Sequence, residues 1–268
     1  MIKLVAVDMD GTFLSSHKTY DRQRFLQIYQ ALNARGIKFV VASGNQYAQL
    51  RSFFPEMQDD IAYVAENGML VYDQGRLIHE EHFTQETVLA VVDYLRQHYP
   101  TAEWTINGIR SAYIENQATQ AFKDSMTYYC HALTYVDDFA QLDFEQEQYI
   151  KFALAVPTEE TWAIAEALEA QFPGQISSVS SGHGNIDLIV PNNHKANGLK
   201  ILSERWQIAP EDMMAFGDGQ NDLAMLQYVG HSYAMANGPE MVQAVAKYQA
   251  PHHDESGVLQ VLEAYLQQ

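Results

Sequence analysis

The amino-acid sequence predicts an α/β protein, in which a doubly wound parallel sheet is interrupted by an inserted α+β domain. Strands alternate with helices over residues 1–82 and again over 191–268, and such alternation is typical of a parallel sheet. Residues 83–190 instead mix amphipathic helices with β-like segments. We therefore expect one domain formed by 1–82 plus 191–268. Residues 83–190 should form a second domain inserted into it, because exposed loops tolerate insertions.

The first domain is predicted to begin with a strand, a helix and a second strand. These are KLVAV, then DRQRFLQIYQALNARG with Gly36 as its stop, then IKFVVASG. The next segment, YVAENGMLVYDQGRLIHE, predicts hairpins with turns at Asn67-Gly68 and Gln74-Gly75. After the insert the sequence predicts a helix (KANGLKILSERWQ), a strand (DMMAFGD), a helix (NDLAMLQYVG), a strand (SYAMA) and a helix (PEMVQAVAKY).

The insert contains three helical and four β-like segments. The helices are TQETVLAVVDYLRQHY, TQAFKDSMTYYCHAL and TEETWAIAEALEAQF, and the β-like segments are SAYIE, YIKFALAV, ISSVSS and NIDLIV. Their order predicts an antiparallel sheet with helices on one face.

Composition excludes some classes of partner. Of 268 residues, 34 are acidic and 16 are Lys or Arg, which gives a formal charge of −18. This charge argues against nucleic acid or an anionic membrane as a partner, because binding to phosphate backbones depends on clustered basic residues. No apolar run has the length of a membrane span, and Cys130 is the single cysteine. We expect a cytoplasmic monomer or small homo-oligomer that acts on a small molecule.

Three predicted strands end in unusual polar sequences: VAVDMDGT, KFVVASGN and MMAFGDGQND. The carboxyl ends of parallel strands form a shared crevice where ligands bind. The side chains expected there are Asp8, Asp10, Ser43, Gly44, Asp218, Asn221 and Asp222. So many carboxylates need a compensating cation, and Mg²⁺ prefers carboxylates together with water and substrate phosphate.

Two further residues have alternative interpretations. Lys195 starts a predicted helix, where its ammonium could reach an anionic ligand or could be an ordinary surface group. His183, between two glycines, could reach a pocket or lie in an exposed turn. The remaining histidines show no zinc-binding spacing, and PHHDES is interpreted as a solvated loop.

In order and spacing, DMDGT, SG, the lysine before a helix and GDGQND resemble the four motifs of the haloacid dehalogenase-like (HAD) phosphatases. The insert is similar in size and location to the large α/β cap of the Cof-type subgroup. GIKFVVASGNQY, VAENG and HKANG resemble bacterial sugar-phosphate phosphatases in that subgroup. The resemblance covers essentially the whole chain and implies a Rossmann-like catalytic core with a cap domain.

The resemblance also implies residue roles. Asp8 would be the nucleophile that forms an aspartyl-phosphate, and Asp10 would be the general acid and then the base. A side-chain oxygen of Asp8, the backbone carbonyl of Asp10 and the carboxylate of Asp218 would bind Mg²⁺, with Asp222 supporting that shell. The phosphoryl group would be bound by Ser43, Gly44, Lys195 and Asn221.

The chain departs from the family pattern at two positions, since Asn45 stands where many members have arginine, and Ala196 rather than glycine follows the lysine. Both departures affect the expected specificity for the leaving group and leave the expected reaction class unchanged. The expected function is a magnesium-dependent phosphatase acting on sugar phosphates. A phosphomutase or sugar phosphotransferase would use the same intermediate, and a receiver-like signalling module would store phosphate on Asp8.

Overall fold

A computed structural model describes residues 1–182 and 184–267. The chain forms two compact units. The first consists of Met1–Gly44, Phe54–His79 and His194–Gln268, and the second of Asn45–Phe53 and Glu80–Asn193.

The strands of the described residues are β1 (Leu4–Val7), β2 (Lys38–Ala42), β3 (Ala62–Ala65), β4 (Leu70–Asp73), β5 (Arg76–Glu80), β6 (Glu103–Gly108), β7 (Ala112–Glu115), β8 (Leu133–Val136), β9 (Tyr149–Ala155), β10 (Ser177–Gly182), β11 (Asn185–Ile189), β12 (Met213–Gly217), β13 (His231–Met235) and β14 (Tyr248–Ala250). The α-helices are α1 (Arg22–Ala34), α2 (Tyr47–Ser52), α3 (Gln85–His98), α4 (Gln120–Tyr129), α5 (Thr161–Gln171), α6 (Lys195–Trp206), α7 (Leu223–Tyr228), α8 (Glu240–Gln243) and α9 (Gly257–Leu266).

The first unit contains an eight-stranded sheet in the order β14-β13-β12-β1-β2-β3-β4-β5. The six strands from β14 to β3 are parallel, and β4 pairs antiparallel with β3. The chain places β2 and β3 on one side of β1 and the later strands β12 to β14 on the other. The sheet therefore has a topological switch point beside β1, which is where open α/β sheets bind ligands. The predicted α/β class is confirmed.

Both faces of the central strands of this sheet are buried, as a doubly wound fold requires. On one face, Leu4 and Ala6 of β1 pack with Leu199 and Leu202 of α6. On the other face an aromatic cluster joins the sheet to α1, and it contains Phe13, Tyr20, Phe25, Tyr29, Phe39 and Phe54. Alternate residues of each strand point to opposite faces, so the apolar runs of β1 and β2 serve both cores.

The second unit contains a six-stranded sheet in the order β10-β11-β9-β6-β7-β8. Its pairs are antiparallel except β7 and β8, which are parallel. The expectation of an antiparallel sheet is therefore wrong for this pair. The reason is α4, which lies between β7 and β8 in sequence, since a crossover helix returns the chain in the same direction.

The units differ from the sequence-based division mainly at Asn45–Phe53, which groups with the second unit. There Gln46 forms two reciprocal hydrogen bonds with Ala132: its Nε2 donates to the backbone oxygen, and its Oε1 accepts from the backbone N–H, both at 2.9 Å. A side-chain amide that pairs like a backbone strand is not visible as a sequence pattern. The assignment of the units as catalytic core and cap stays a prediction.

Among the described residues, none of the helices combines the length and the apolar character that crossing a membrane requires.

Candidate active site

The site is built at the carboxyl ends of β1, β2 and β12. Val7 lies in register with both Val41 and Phe216, so the residues that follow these three strands emerge side by side. Asp8 directly follows β1, and its N–H donates to the Phe216 carbonyl at 3.0 Å. The predicted convergence of strand ends is thus a property of the sheet register.

Lys195 is completely buried at the first position of α6. Its Nζ lies 2.6 Å from Oδ1 of Asp8 and 2.6 Å from Oδ1 of Asp222. The alternative interpretation of Lys195 as a surface lysine is therefore wrong.

Asp222 uses both of its oxygens. Besides the bond from Lys195, its Oδ2 accepts from the backbone N–H groups of Asp218 at 3.0 Å and Gly219 at 2.9 Å. A Cβ on Gly217 would lie 2.5 Å from Cβ of Asp222, so glycine is needed for this approach. Asp222 therefore fixes the turn after β12 as well as the lysine.

Asp218 is positioned by side chains from the loop after β1 and the loop after β13. Oγ1 of Thr12 donates to its Oδ1 at 2.8 Å, and Nδ2 of Asn237 donates to its Oδ2 at 3.3 Å. Gly11 has a φ of +77°, and a Cβ there would lie 2.3 Å from Oδ2 of Asp218. Only glycine permits both this left-handed conformation at low cost and the close approach of the carboxylate.

Charge is unevenly compensated in this group. Burial raises the pKa of Asp8 well above its usual value, although Lys195 opposes the effect. Burial likewise raises the pKa of Asp218, against the hydrogen bond from Thr12. Burial disfavours the charged form of Lys195, but Asp222 and Asp8 outweigh it and the net effect raises the pKa of the lysine. The site as a whole is short of positive charge.

A divalent cation fits this shortage. Asp8, Asp218 and Asp222 place carboxylate oxygens within 4.8 Å of one another, and an all-oxygen donor set suits Mg²⁺. Among the described residues, Asp222 accepts three hydrogen bonds, whereas Asp218 accepts two and Asp8 accepts one, from Lys195. Asp8 and Asp218 are therefore better placed than the fully engaged Asp222 to bind a metal directly.

The Asp10 carboxylate is not one of the three that lie within 4.8 Å of one another. Its Oδ1 is 2.6 Å from Nζ of Lys18, and the side chain is 41% exposed. The structure thus places Asp10 at the same strand end but directs its carboxylate toward a lysine on the following loop.

Ser43, Gly44 and Asn221 are connected through Asn67. The Asn67 N–H donates to the Ser43 carbonyl at 3.0 Å, and its side-chain Oδ1 accepts from Nδ2 of Asn221 at 3.1 Å. A Cβ on Gly44 would lie 3.0 Å from Nδ2 of Asn67. Asn67 is buried and left-handed, with φ +58°.

Sequence reasoning missed three residues of this group: Thr12, Asn67 and Asn237. Thr12 lies within DMDGT but carries no separate signal there, and Asn67 is predicted as a hairpin turn residue, which it also is. Asn237 gave no signal of its own, because it follows a strand that carries no acidic residue. His183 lies outside the described residues.

The profile of the haloacid dehalogenase-like hydrolase family matches residues 5–262. A 5-amino-6-(5-phospho-D-ribitylamino)uracil phosphatase, YbjI of Escherichia coli (strain K12), is 44% identical over 265 residues, covering 99% of this chain and 96% of that protein. A second protein named as a 5-amino-6-(5-phospho-D-ribitylamino)uracil phosphatase, YwtE of Bacillus subtilis (strain 168), is 23% identical over 284 residues. The match covers 99% of this chain and 98% of that protein.

Among solved structures, SMU.1108c from Streptococcus mutans UA159 superposes with a TM-score of 0.93 at 36% identity, covering 100% of both chains. The prediction of a phosphatase of this family is confirmed by the family match and by the relatives' names. The chain belongs to the haloacid dehalogenase-like hydrolases.

Proposed function

We propose that this protein is a magnesium-dependent phosphatase that hydrolyses phosphate monoesters of small metabolites, with sugar and sugar-alcohol phosphates as its substrate class. The observation that carries the proposal is the buried contact of Lys195 with Asp8 beside the carboxylate of Asp218. A nucleophilic carboxylate must be ionised, and the ammonium 2.6 Å away favours that form of Asp8.

The chemistry takes place on Asp8. One of its oxygens attacks phosphorus to form an aspartyl-phosphate, while the bond from phosphorus to the ester oxygen breaks and Asp10 protonates the leaving oxygen. Asp10 then takes a proton from the water that attacks phosphorus, which releases phosphate and restores the Asp8 carboxylate. Because Asp10 contacts Lys18 at 2.6 Å, this role requires its carboxyl group to leave that lysine during the cycle.

Other residues supply charge and orientation. Mg²⁺ bound by Asp8, Asp218 and the Asp10 carbonyl would neutralise charge that develops on the phosphoryl oxygens. Lys195 and the amide of Asn221 would bind those oxygens. Phosphoryl transfer depends mainly on positioning and charge stabilisation, so these groups suffice.

The substrate class is supported by two relatives named as 5-amino-6-(5-phospho-D-ribitylamino)uracil phosphatases. That compound carries a phosphate ester on a ribityl chain, which is chemically a sugar-alcohol phosphate. We propose it as the first specific substrate to test, beside hexose and pentose phosphates.

The test is phosphate release from this compound, a panel of sugar phosphates and an aryl phosphate, with Mg²⁺ or EDTA. Asp8→Asn should abolish release. Asp212→Asn is the matched control and should retain full activity. Asp212 directly precedes the first residue of β12, at the end of the strand away from the site, where it forms an exposed contact with Lys3 at 2.6 Å. Phosphate release by Asp8→Asn at the wild-type rate would show that Asp8 is not the nucleophile.

The intermediate can be tested separately by acid quench after a single turnover with ³²P-labelled substrate. Asp10→Asn should accumulate labelled protein from a labelled aryl phosphate, because its leaving oxygen needs no acid while the base for hydrolysis is missing. Transfer of label to an added sugar in preference to water would instead identify a phosphotransferase. Stable labelling of the wild type, without turnover, would identify a signalling module.

A further inference from the structure

Asn237 lies in the loop after β13 and connects three separate segments of the first unit. Its Nδ2 donates to the Gly11 carbonyl at 2.7 Å and to Oδ2 of Asp218 at 3.3 Å. Its Oδ1 accepts from the backbone N–H of His253 at 3.2 Å. All three bonds require the same orientation of the amide, since the N–H of His253 can only face the oxygen.

Two of these segments carry oxygens assigned above to the metal. Gly11 directly follows Asp10, whose carbonyl is one expected ligand, and Asp218 supplies another. Gly238 makes the close approach possible, because even a Cβ there would lie 3.2 Å from the Asp218 carbonyl oxygen. The amide of Asn237 therefore spans from the loop after β1 to the loop after β12.

The third segment, around His253, holds the oxygen of this amide. Nδ1 of His253 lies 2.7 Å from the Leu14 carbonyl, and Asp254 accepts from the N–H and Oγ of Ser16 at 2.7 and 2.8 Å. The segment around His253 is thus attached to the same loop that contains Asp10 and Gly11. Rotation of the Asn237 amide would break bonds on both sides at once.

We propose that Asn237 is a positioning residue of the metal site, which fixes Asp218 and the Asp10–Gly11 backbone in the arrangement that binds the cation. The inference rests on the proposed function. A neutral amide that donates to one carboxylate oxygen orients the remaining lone pairs without cancelling the negative charge. Partners of this kind typically contribute 10–100-fold to metal affinity.

The test is binding of Mn²⁺ to the full-length protein, measured by electron paramagnetic resonance of the free ion, with no substrate present. Asn237→Ala should weaken Mn²⁺ binding by about 10–100-fold. The Mg²⁺ concentration for half-maximal activity should rise equally, while KM for the phosphate ester at saturating Mg²⁺ stays within about twofold. If Asn237 only stabilised the fold, the substitution would lower the melting temperature without weakening metal binding selectively over substrate binding.

Gln243→Ala is the matched control. The Gln243 amide donates to the Gly238 carbonyl at 2.7 Å in the same loop. Its side chain is not hydrogen-bonded to a predicted ligand in the part of the chain that the structure describes, so Mn²⁺ affinity should not change. If Asn237→Ala does not fold, Asn237→Ser decides the question, because its hydroxyl is too short to reach both acceptors.

Mn²⁺ affinity of folded Asn237→Ala or Asn237→Ser within twofold of wild type would overturn the inference. Asp218→Asn separates this failure from that of the proposed function. If Asp218→Asn binds Mn²⁺ normally, the metal assignment itself is wrong. If Asp218→Asn loses binding while the Asn237 variants keep it, only the positioning role is wrong.

Discussion

At the scale of single residues, Lys195 determines the electrostatics of the site. An isolated buried lysine would lose its proton, because burial disfavours the charged form. Here Asp222 and Asp8 outweigh burial and raise the pKa of the ammonium. The lysine therefore stays charged at neutral pH, and the two carboxylates depend on it for their own compensation.

We expect Lys195→Ala to destabilise the protein by about 3–5 kcal/mol, because it leaves buried carboxylates without their cation. Lys200→Ala is the control in the same helix. Lys200 is exposed and lies 3.9 Å from Glu204, and such pairs contribute about 0.5 kcal/mol or less. Urea unfolding monitored by circular dichroism measures both. Equal effects of the two substitutions would contradict the structural assignment of Lys195.

His194, directly before α6, is placed less favourably. It is the N-cap residue of that helix but makes no side-chain capping bond. Its buried Nδ1 has no hydrogen-bond partner among the described residues. Burial lowers the pKa of this imidazole. The unfolded chain therefore takes up a proton more readily as pH falls through about 6.5, and folding stability is lost below that pH.

His194→Asn should stabilise the protein at pH 7.5 by about 0.5–2 kcal/mol, because asparagine is a favoured N-cap. The difference in unfolding free energy between the variant and the wild type should be larger at pH 5.5. At that pH the wild type is destabilised because its unfolded chain binds a proton at His194, and the variant has no such group. Thermal unfolding of both proteins at the two pH values measures this. An advantage that is constant or smaller at pH 5.5 would show that His194 is not the titrating group.

At the scale of elements, α6 delivers Lys195 because it packs unusually close to β3. A Cβ on Gly198 would lie 2.4 Å from Cγ1 of Val64, and a Cβ on Gly68 would lie 2.5 Å from the His194 carbonyl oxygen. Glycine is therefore needed three residues after the lysine, where the helix meets the sheet.

Gly198→Ala should destabilise the protein by about 1–3 kcal/mol through overpacking against Val64. In the background of Val64→Ala the same change should be neutral or stabilising, because alanine is the better helix former by about 1 kcal/mol. A double-mutant cycle of unfolding free energies measures the coupling. Additive effects would mean that the two residues do not limit the approach of α6.

Several elements were not predicted correctly from the sequence, for identifiable reasons. The predicted final helix PEMVQAVAKY is helical only over Glu240–Gln243 and continues into β14 at Tyr248–Ala250. Its periodic apolar residues fit a helix, but Tyr248 at its end pairs with β13 at the sheet edge instead. β8 carries only half-buried and exposed residues, so no apolar pattern marked it as a strand.

At the scale of the whole molecule, the net charge of −18 opposes the approach of a phosphorylated substrate. Lys195, which we propose binds the phosphoryl group, is buried and its charge is screened little by salt, whereas the surface field is screened strongly. The two effects can therefore be separated by ionic strength.

We expect kcat/KM for a sugar phosphate to rise severalfold between about 10 and 150 mM NaCl at saturating Mg²⁺, as the Debye length falls from about 30 to 8 Å. Steady-state kinetics with choline chloride as a second salt distinguishes ionic strength from an effect of sodium. A steep fall of kcat/KM would indicate that exposed cations, rather than the buried site, attract the substrate.

The sequence by itself determined the α/β class, the strand ends that carry acidic residues, and the family to which the chain belongs. It could do so because alternating elements and short motifs are local in the chain. Only the tertiary structure decided that Lys195 is buried between Asp8 and Asp222, that Asp10 faces Lys18, and that Asn67 and Asn237 join separate loops. These contacts depend on sheet register and side-chain direction, which no local pattern specifies.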